Sequence, residues 1–183
     1  MILGEEDAKR LINEDLYNEL RWMLVAASEW QVCFGKLSRI SVSFPSHLQV
    51  LAMDSACVHI RSLYEFFIYV PSKSSRSDTA YANRDFGISV QPTQLYNEYI
   101  ESLNKRIFHL DNYRPAPTAR GGGAVKTDLN QKITDIAQDV LNVWDIFAKQ
   151  LPQFETELSS ARQKSISDAE RAAISVGGST IFS

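Results

Sequence analysis

Residues 46–70 read SHLQVLAMDSACVHIRSLYEFFIYV, and this stretch decides the fold of the 183-residue chain. Its apolar residues recur at steps of 4, 3, 4 and 3, the spacing that gives a helix one buried face: Ala56, Ile60, Leu63, Phe67 and Val70. Its other sides are apolar as well, so we expect a helix at the centre of the protein. Ser46 is a favourable N-cap, and Pro71 ends the pattern.

Helical patterns lie on both sides of this stretch. Residues 5–35 begin with three acidic residues, which favour a helix N-terminus, and continue with apolar residues at helical spacing. The elements predicted after the central helix are a short helical turn within 78–88, a third helix over 93–112 with Thr93 as N-cap, a fourth over 127–151 with Thr127 as N-cap, and a fifth over 152–174.

These elements predict an all-α protein, an up-and-down bundle of four to five helices. At most one short strand or hairpin is expected in the loops, and residues 38–44 alternate in a way that would suit it. The predicted domain covers residues 1–175. Residues 176–183, which are rich in glycine, serine and threonine, are expected to be a disordered tail.

Composition narrows the classes of function. The net charge is −3, so no global positive field attracts nucleic acid, although a small basic site is compatible with this value. No run of 18 apolar residues is present, which predicts that the chain does not enter a membrane. The acidic start does not resemble a secretory signal, so we expect a cytoplasmic location.

Polar side chains suited to chemistry concentrate in residues 103–114 (LNKRIFHLDNYR), near the end of the predicted third helix. His109 can transfer a proton at neutral pH. The cations Lys105, Arg106 and Arg114 would stabilise the charge that develops on a phosphate. With the ribose 2′-hydroxyl as nucleophile, this chemistry is RNA cleavage without a metal ion.

The central helix offers partners for this stretch. At 100° per residue, Asn104 and His109 lie on different flanks of the third helix. A site that uses both therefore needs Arg61 and Glu65 from the central helix, or a second subunit. The alternative is structural: the four side chains would satisfy one another and tie the two helices together.

The sequence predicts neither a metal ion nor a cofactor. His47, His59 and His109 are far apart, and no Glu-x-x-His pair occurs. Glycines 121–123 follow Arg120 but lack the Gly-Lys-Ser/Thr ending and the preceding strand of a phosphate-binding loop. His59 lies beside the apolar face of the central helix, where we expect a half-buried imidazole with a hydrogen-bond partner.

Three segments, covering residues 55–114 or so, resemble the HEPN superfamily of helical bundle proteins, in particular the branch similar to abortive-infection type U proteins. They are RSLYEF at 61–66, NRDF at 83–86, and LNKRIFHL at 103–110 with Arg114 after it. The resemblance implies a helical bundle that forms a homodimer. It also implies a role in bacterial defence or a toxin–antitoxin pair, with RNA and a cognate antitoxin or regulatory protein as candidate partners.

In the nuclease members of that family, an arginine and then a polar residue precede the catalytic histidine. The resemblance places His109 at the histidine, Asn104 at the arginine and Lys105 at the polar position. The family arginine is therefore absent, and Arg61 or Arg114 would have to supply its charge.

The resemblance thus gives His109, Asn104, Lys105 and Arg61 as candidate catalytic residues. The candidate substrate-binding residues are Arg106, Arg114, Glu65 and Tyr64. Inactive members of the family, which serve as binding or regulatory modules, fit the same residues equally well.

Overall fold

Helices dominate the computed structural model, which describes residues 3–37, 46–70, 79–108 and 128–182, without the side chains of 34–37, 46–49 and 106–108. The α-helices in these ranges are α1 (Glu5–Arg10), α2 (Tyr17–Leu37), α3 (Ser46–Ile68), α4 (Gln94–Phe108), α5 (Leu129–Lys149) and α6 (Glu155–Ser175). The shorter elements are a π-helical segment (Leu11–Leu16) that joins α1 to α2, a π-helical turn (Ala82–Phe86) and a 3₁₀ turn (Pro152–Phe154).

The all-α helical bundle predicted from the sequence is confirmed. The long first helix of the prediction corresponds to α1, the π-helical segment and α2, which follow one another without a break. No strand occurs in the described ranges, and the stretch 38–44 lies outside them. No helix among the described residues is both long enough and apolar enough to cross a membrane.

The structure bears out one of the two predicted threonine N-caps. The Thr93 hydroxyl oxygen accepts a hydrogen bond of 3.0 Å from the Tyr96 backbone N–H, so Thr93 caps α4. Thr127 lies outside the described residues, and Asp128 holds the N-cap position of α5. The Asp128 carboxylate does not cap the helix; it accepts a hydrogen bond of 2.7 Å from the Tyr99 hydroxyl, which links α5 to α4.

The bundle is built around α2 and α3. Helix α2 packs against α3 and α6, while α3 also packs against α4 and α5. Four of the five predicted core positions of α3 are buried, and Val70, which is 63% exposed, lies beyond the end of the helix. The ring of Phe147 on α5 stands 5.7, 5.1 and 5.4 Å from those of Phe66, Phe67 and Phe86.

The C-terminal tail differs from the expected disorder. The hydroxyls of Ser28 on α2 and Thr180 are hydrogen-bonded at 2.9 Å, and Phe182 is only 4% exposed. Gly178 approaches α2 so closely that an added Cβ would lie 2.4 Å from a methyl of Val32. Glycine and serine are typical of a flexible tail, but here the small residue permits a close contact with a distant helix.

Phe147→Ala should lower the free energy of unfolding by about 3–5 kcal/mol, because it removes a fully buried ring that contacts three other rings. Urea denaturation followed by circular dichroism measures this loss. The neighbouring Ile146 is 46% exposed, so Ile146→Ala is the matched control and should change the stability by less than about 0.5 kcal/mol. Equal losses in both variants would contradict the assigned core.

Gly178→Ala should destabilise the protein by about 1–3 kcal/mol, because the new methyl group overlaps the β-branched side chain of Val32. Ser179→Ala, at an exposed neighbouring position, is the control. The double variant Gly178→Ala with Val32→Ala should lose less stability than the sum of the single variants, since the smaller residue makes room. Strict additivity in urea denaturation would show that the tail does not pack here.

Candidate functional site

Helices α3 and α4 bring together three of the candidate site residues. The Nε of Arg61 donates a hydrogen bond of 2.6 Å to Oδ1 of Asn104, across the interface between the helices. The Nη2 of Arg61 lies 3.2 Å from Oε2 of Glu65, one turn along α3. The side chains of Arg61 and Glu65 are 28% and 36% exposed, so the group lies at the edge of the core. We call these three residues the Arg61 network.

The Arg61 network has the features of a structural link. A half-exposed ion pair such as Arg61–Glu65 stabilises a protein by less than about 1 kcal/mol. The hydrogen bond to Asn104 adds direction, because the guanidinium fixes the angle at which its N–H groups point. The network thus holds α4 in a definite position on α3, and Glu65 partly neutralises the positive charge of Arg61.

The other residues of the polar stretch are described only in part. Nζ of Lys105 lies 3.7 Å from Oε2 of Glu101, which is one turn earlier on α4. His109 and Arg114 lie outside the described residues, as does the side chain of Arg106. The expectation that His109 joins the Arg61 network therefore stays a prediction.

Tyr64, a candidate substrate-binding residue, lies in the core with no exposed surface. Its hydroxyl donates a hydrogen bond of 2.5 Å to Oδ2 of Asp139 on α5, and the Thr93 hydroxyl donates to the same oxygen at 2.5 Å. Burial, and then the hydrogen bond to Asp139, raises the pKa of Tyr64. In this position Tyr64 links α3 to α5, and it has no surface that would contact a substrate.

Asp139 is the residue of this region that the sequence did not indicate. It lies beside the apolar face of α5, next to the buried Val140. From sequence alone, a carboxylate in this position is expected to face solvent. The available signal was weak: an acidic residue beside an apolar stripe, together with a tyrosine on the central helix. Its partners Tyr64 and Thr93 are 75 and 46 residues away in sequence.

Glu65 also lines a cleft of about 160 Å³, which lies between the π-helical segment and α3. Its apolar lining includes the half-buried Leu11 and Ala80, and its carboxylates are Asp15, Glu19 and Glu65. We call it the acidic cleft. His59 lies beside it and shares a hydrogen bond of 2.9 Å with Glu19, which confirms the prediction of a half-buried imidazole with a partner.

The acidic cleft is not arranged as a metal site. Among the described residues, no group of three or more histidine, cysteine, aspartate or glutamate side chains converges closely enough to hold a metal ion. The three carboxylates instead give the cleft a negative potential, which attracts cations and repels phosphate groups.

Comparisons with protein-family models, with curated proteins and with solved structures found no match to this chain.

Asn104→Ala should cost about 1–2 kcal/mol of stability, because it removes a hydrogen bond from a charged group at a helix interface. Asn97→Ala, an exposed asparagine on the same helix, is the matched control and should be close to neutral. A double-mutant cycle with Arg61→Met should give a coupling energy of at least about 0.5 kcal/mol in urea denaturation. A coupling energy of zero would show that the two side chains do not act together.

Proposed function

We propose that this chain is a HEPN-like helical module that acts by binding a protein partner rather than by cleaving RNA. One observation carries the proposal. Arg61, which could replace the missing family arginine, donates to Asn104 and pairs with Glu65. In a nuclease, such an arginine would have to bind the reacting phosphate.

The charges around Arg61 support this reading. A phosphate bound to Arg61 would have to come close to the Glu65 carboxylate, which lies 3.2 Å from the same guanidinium. Like charges at such separations repel each other strongly where water is partly excluded. Asp15 and Glu19 add two further negative charges on the adjoining cleft. RNA, which carries a negative charge on every nucleotide, is therefore the poorer candidate partner.

The biological setting of the proposal comes from the family resemblance. A helical module of this kind would serve in bacterial defence, as a homodimer and with a regulatory protein or antitoxin as partner. The second candidate function is RNA cleavage at His109, supported by Lys105 and Arg114. It is favoured by the residues Asn-Lys-x-x-x-His-Leu at 104–110, which match the family in everything except the arginine.

Incubation of the purified full-length chain with total RNA, without metal ions, should give no cleavage above background, because Arg61 is engaged by Glu65 and Asn104. Gel electrophoresis measures the products over time, with His109→Ala as the paired sample. RNA breakdown by the wild type that disappears in His109→Ala would overturn the binding proposal. Breakdown that is equal in both samples marks a contaminant, and the measurement is then repeated on repurified protein.

A further inference from the structure

The acidic cleft continues into a second depression. This neighbour, of about 320 Å³, shares Leu11, Asp15 and Ala80 with it, so the two form one groove along α1 and the π-helical segment. Leu11, Asp15 and Leu16 all belong to the π-helical segment. Such segments insert one residue into a helix and are frequent at functional sites. Volumes of about 160 and 320 Å³ correspond to a few side chains, which suits a short chain segment rather than a folded element.

The two halves of the groove differ in charge. In the second depression the charged side chains pair off: Arg10 with Asp7 at 3.6 Å, and Arg84 with Asp85 at 2.8 Å. Asp15, on the boundary, is exposed and has no hydrogen bond or ion pair within the described part of the chain.

Among the described residues, Glu65 of the acidic cleft pairs with Arg61 and Glu19 pairs with His59, whereas Asp15 has no such partner. The groove is therefore close to neutral at one end and negative, with an apolar lining, at the other.

A negative cleft with an apolar lining favours the binding of a long cationic side chain. Lysine and arginine have a long aliphatic stem and a cationic head, and they bury the stem on apolar surface while the head stays near water or a carboxylate. Leu11 and Ala80 line the cleft and are half-buried, so they offer apolar surface to the stem. The described residues offer a metal ion no converging set of ligands here, and a phosphate would be repelled.

We propose that the groove is a docking site for an extended segment of a partner protein, which places one lysine or arginine side chain in the acidic cleft. The cationic head would lie among Asp15, Glu19 and Glu65, and flanking apolar residues would follow the groove toward Leu11. This inference rests on the proposed binding function and names the chemistry of the partner.

The test uses the full-length chain and a positional-scanning array of nine-residue peptides. The central residue is Lys, Arg, Gln or Glu, and the flanking positions are mixtures of apolar residues. Fluorescence anisotropy should show that pools with central Lys or Arg bind at least about tenfold more tightly than those with central Glu. Their binding should weaken as the salt concentration rises from about 0.05 to about 0.5 M, because salt screens the attraction between charges.

Asp15→Lys is the decisive variant, because Asp15 is exposed and its replacement breaks no contact within the described residues. It should weaken binding of the Lys and Arg pools by about tenfold and strengthen that of the Glu pools. Glu14→Lys is the matched control. It makes the same change of charge one residue away, at an exposed position that does not line the groove, and should leave both affinities almost unchanged.

Three outcomes would overturn the inference. They are equal binding of the Lys and Glu pools, absence of binding by every pool, and equal effects of Asp15→Lys and Glu14→Lys. Circular dichroism of both variants confirms that they are folded. These results are independent of the RNA measurement, so failure of the docking site and failure of the binding function can be told apart.

Discussion

The burial of α3 is the constraint on which the rest of the structure depends. This helix packs against α2, α4 and α5. Its apolar residues are the source of the driving force, since each buried large side chain contributes about 1.5–3 kcal/mol. A helix in that position can keep a polar side chain only where a partner from another element reaches it. The polar contacts of the protein are best understood from this requirement.

Two polar side chains of α3, Tyr64 and Arg61, obtain their hydrogen-bond partners in different ways. Tyr64 is fully buried, and its hydroxyl is satisfied by Asp139 of α5. Arg61 lies at the edge, where Asn104 of α4 and Glu65 of α3 itself share its N–H groups. The contacts with Asp139 and Asn104 fix the positions of α5 and α4 relative to α3, which apolar packing alone does less precisely. The same residue, Glu65, then forms a wall of the acidic cleft.

The parts of this structure that could be predicted from sequence are those set by local spacing. The core face of α3 follows from the steps between apolar residues, and the cap at Thr93 follows from residue type and position. The partner of Arg61 was predictable in part, because Asn104 stands on a neighbouring helix beside its apolar face.

Contacts between distant segments had no such signal. Tyr99 pairs with Asp128, and Ser28 pairs with Thr180 over 152 residues. The π-helical segment also could not be predicted, because a helix is predicted from apolar residues that repeat every 3.6 residues.

Several carboxylates among the described residues join helices, and this distinguishes them from Asp15 of the acidic cleft. Asp139 and Asp128 each accept a hydrogen bond from a tyrosine of another helix. Asp168 does the same with Tyr17 and also pairs with Arg21 and Arg171. Burial alone would raise its pKa, but the hydrogen bonds from Arg171 and Tyr17 outweigh this effect and lower it. In these places a carboxylate is an acceptor that joins helices.

Asp15 differs from that group, because it stands at the junction of two depressions and meets no donor within the described residues. Glu65 pairs with Arg61 on its own helix and also lines the acidic cleft. A cation that enters the cleft would compete with Arg61 for Glu65. Binding there would therefore change the balance of charge in the contact that holds α4 on α3, and the docking site and the structural link are physically connected through one carboxylate.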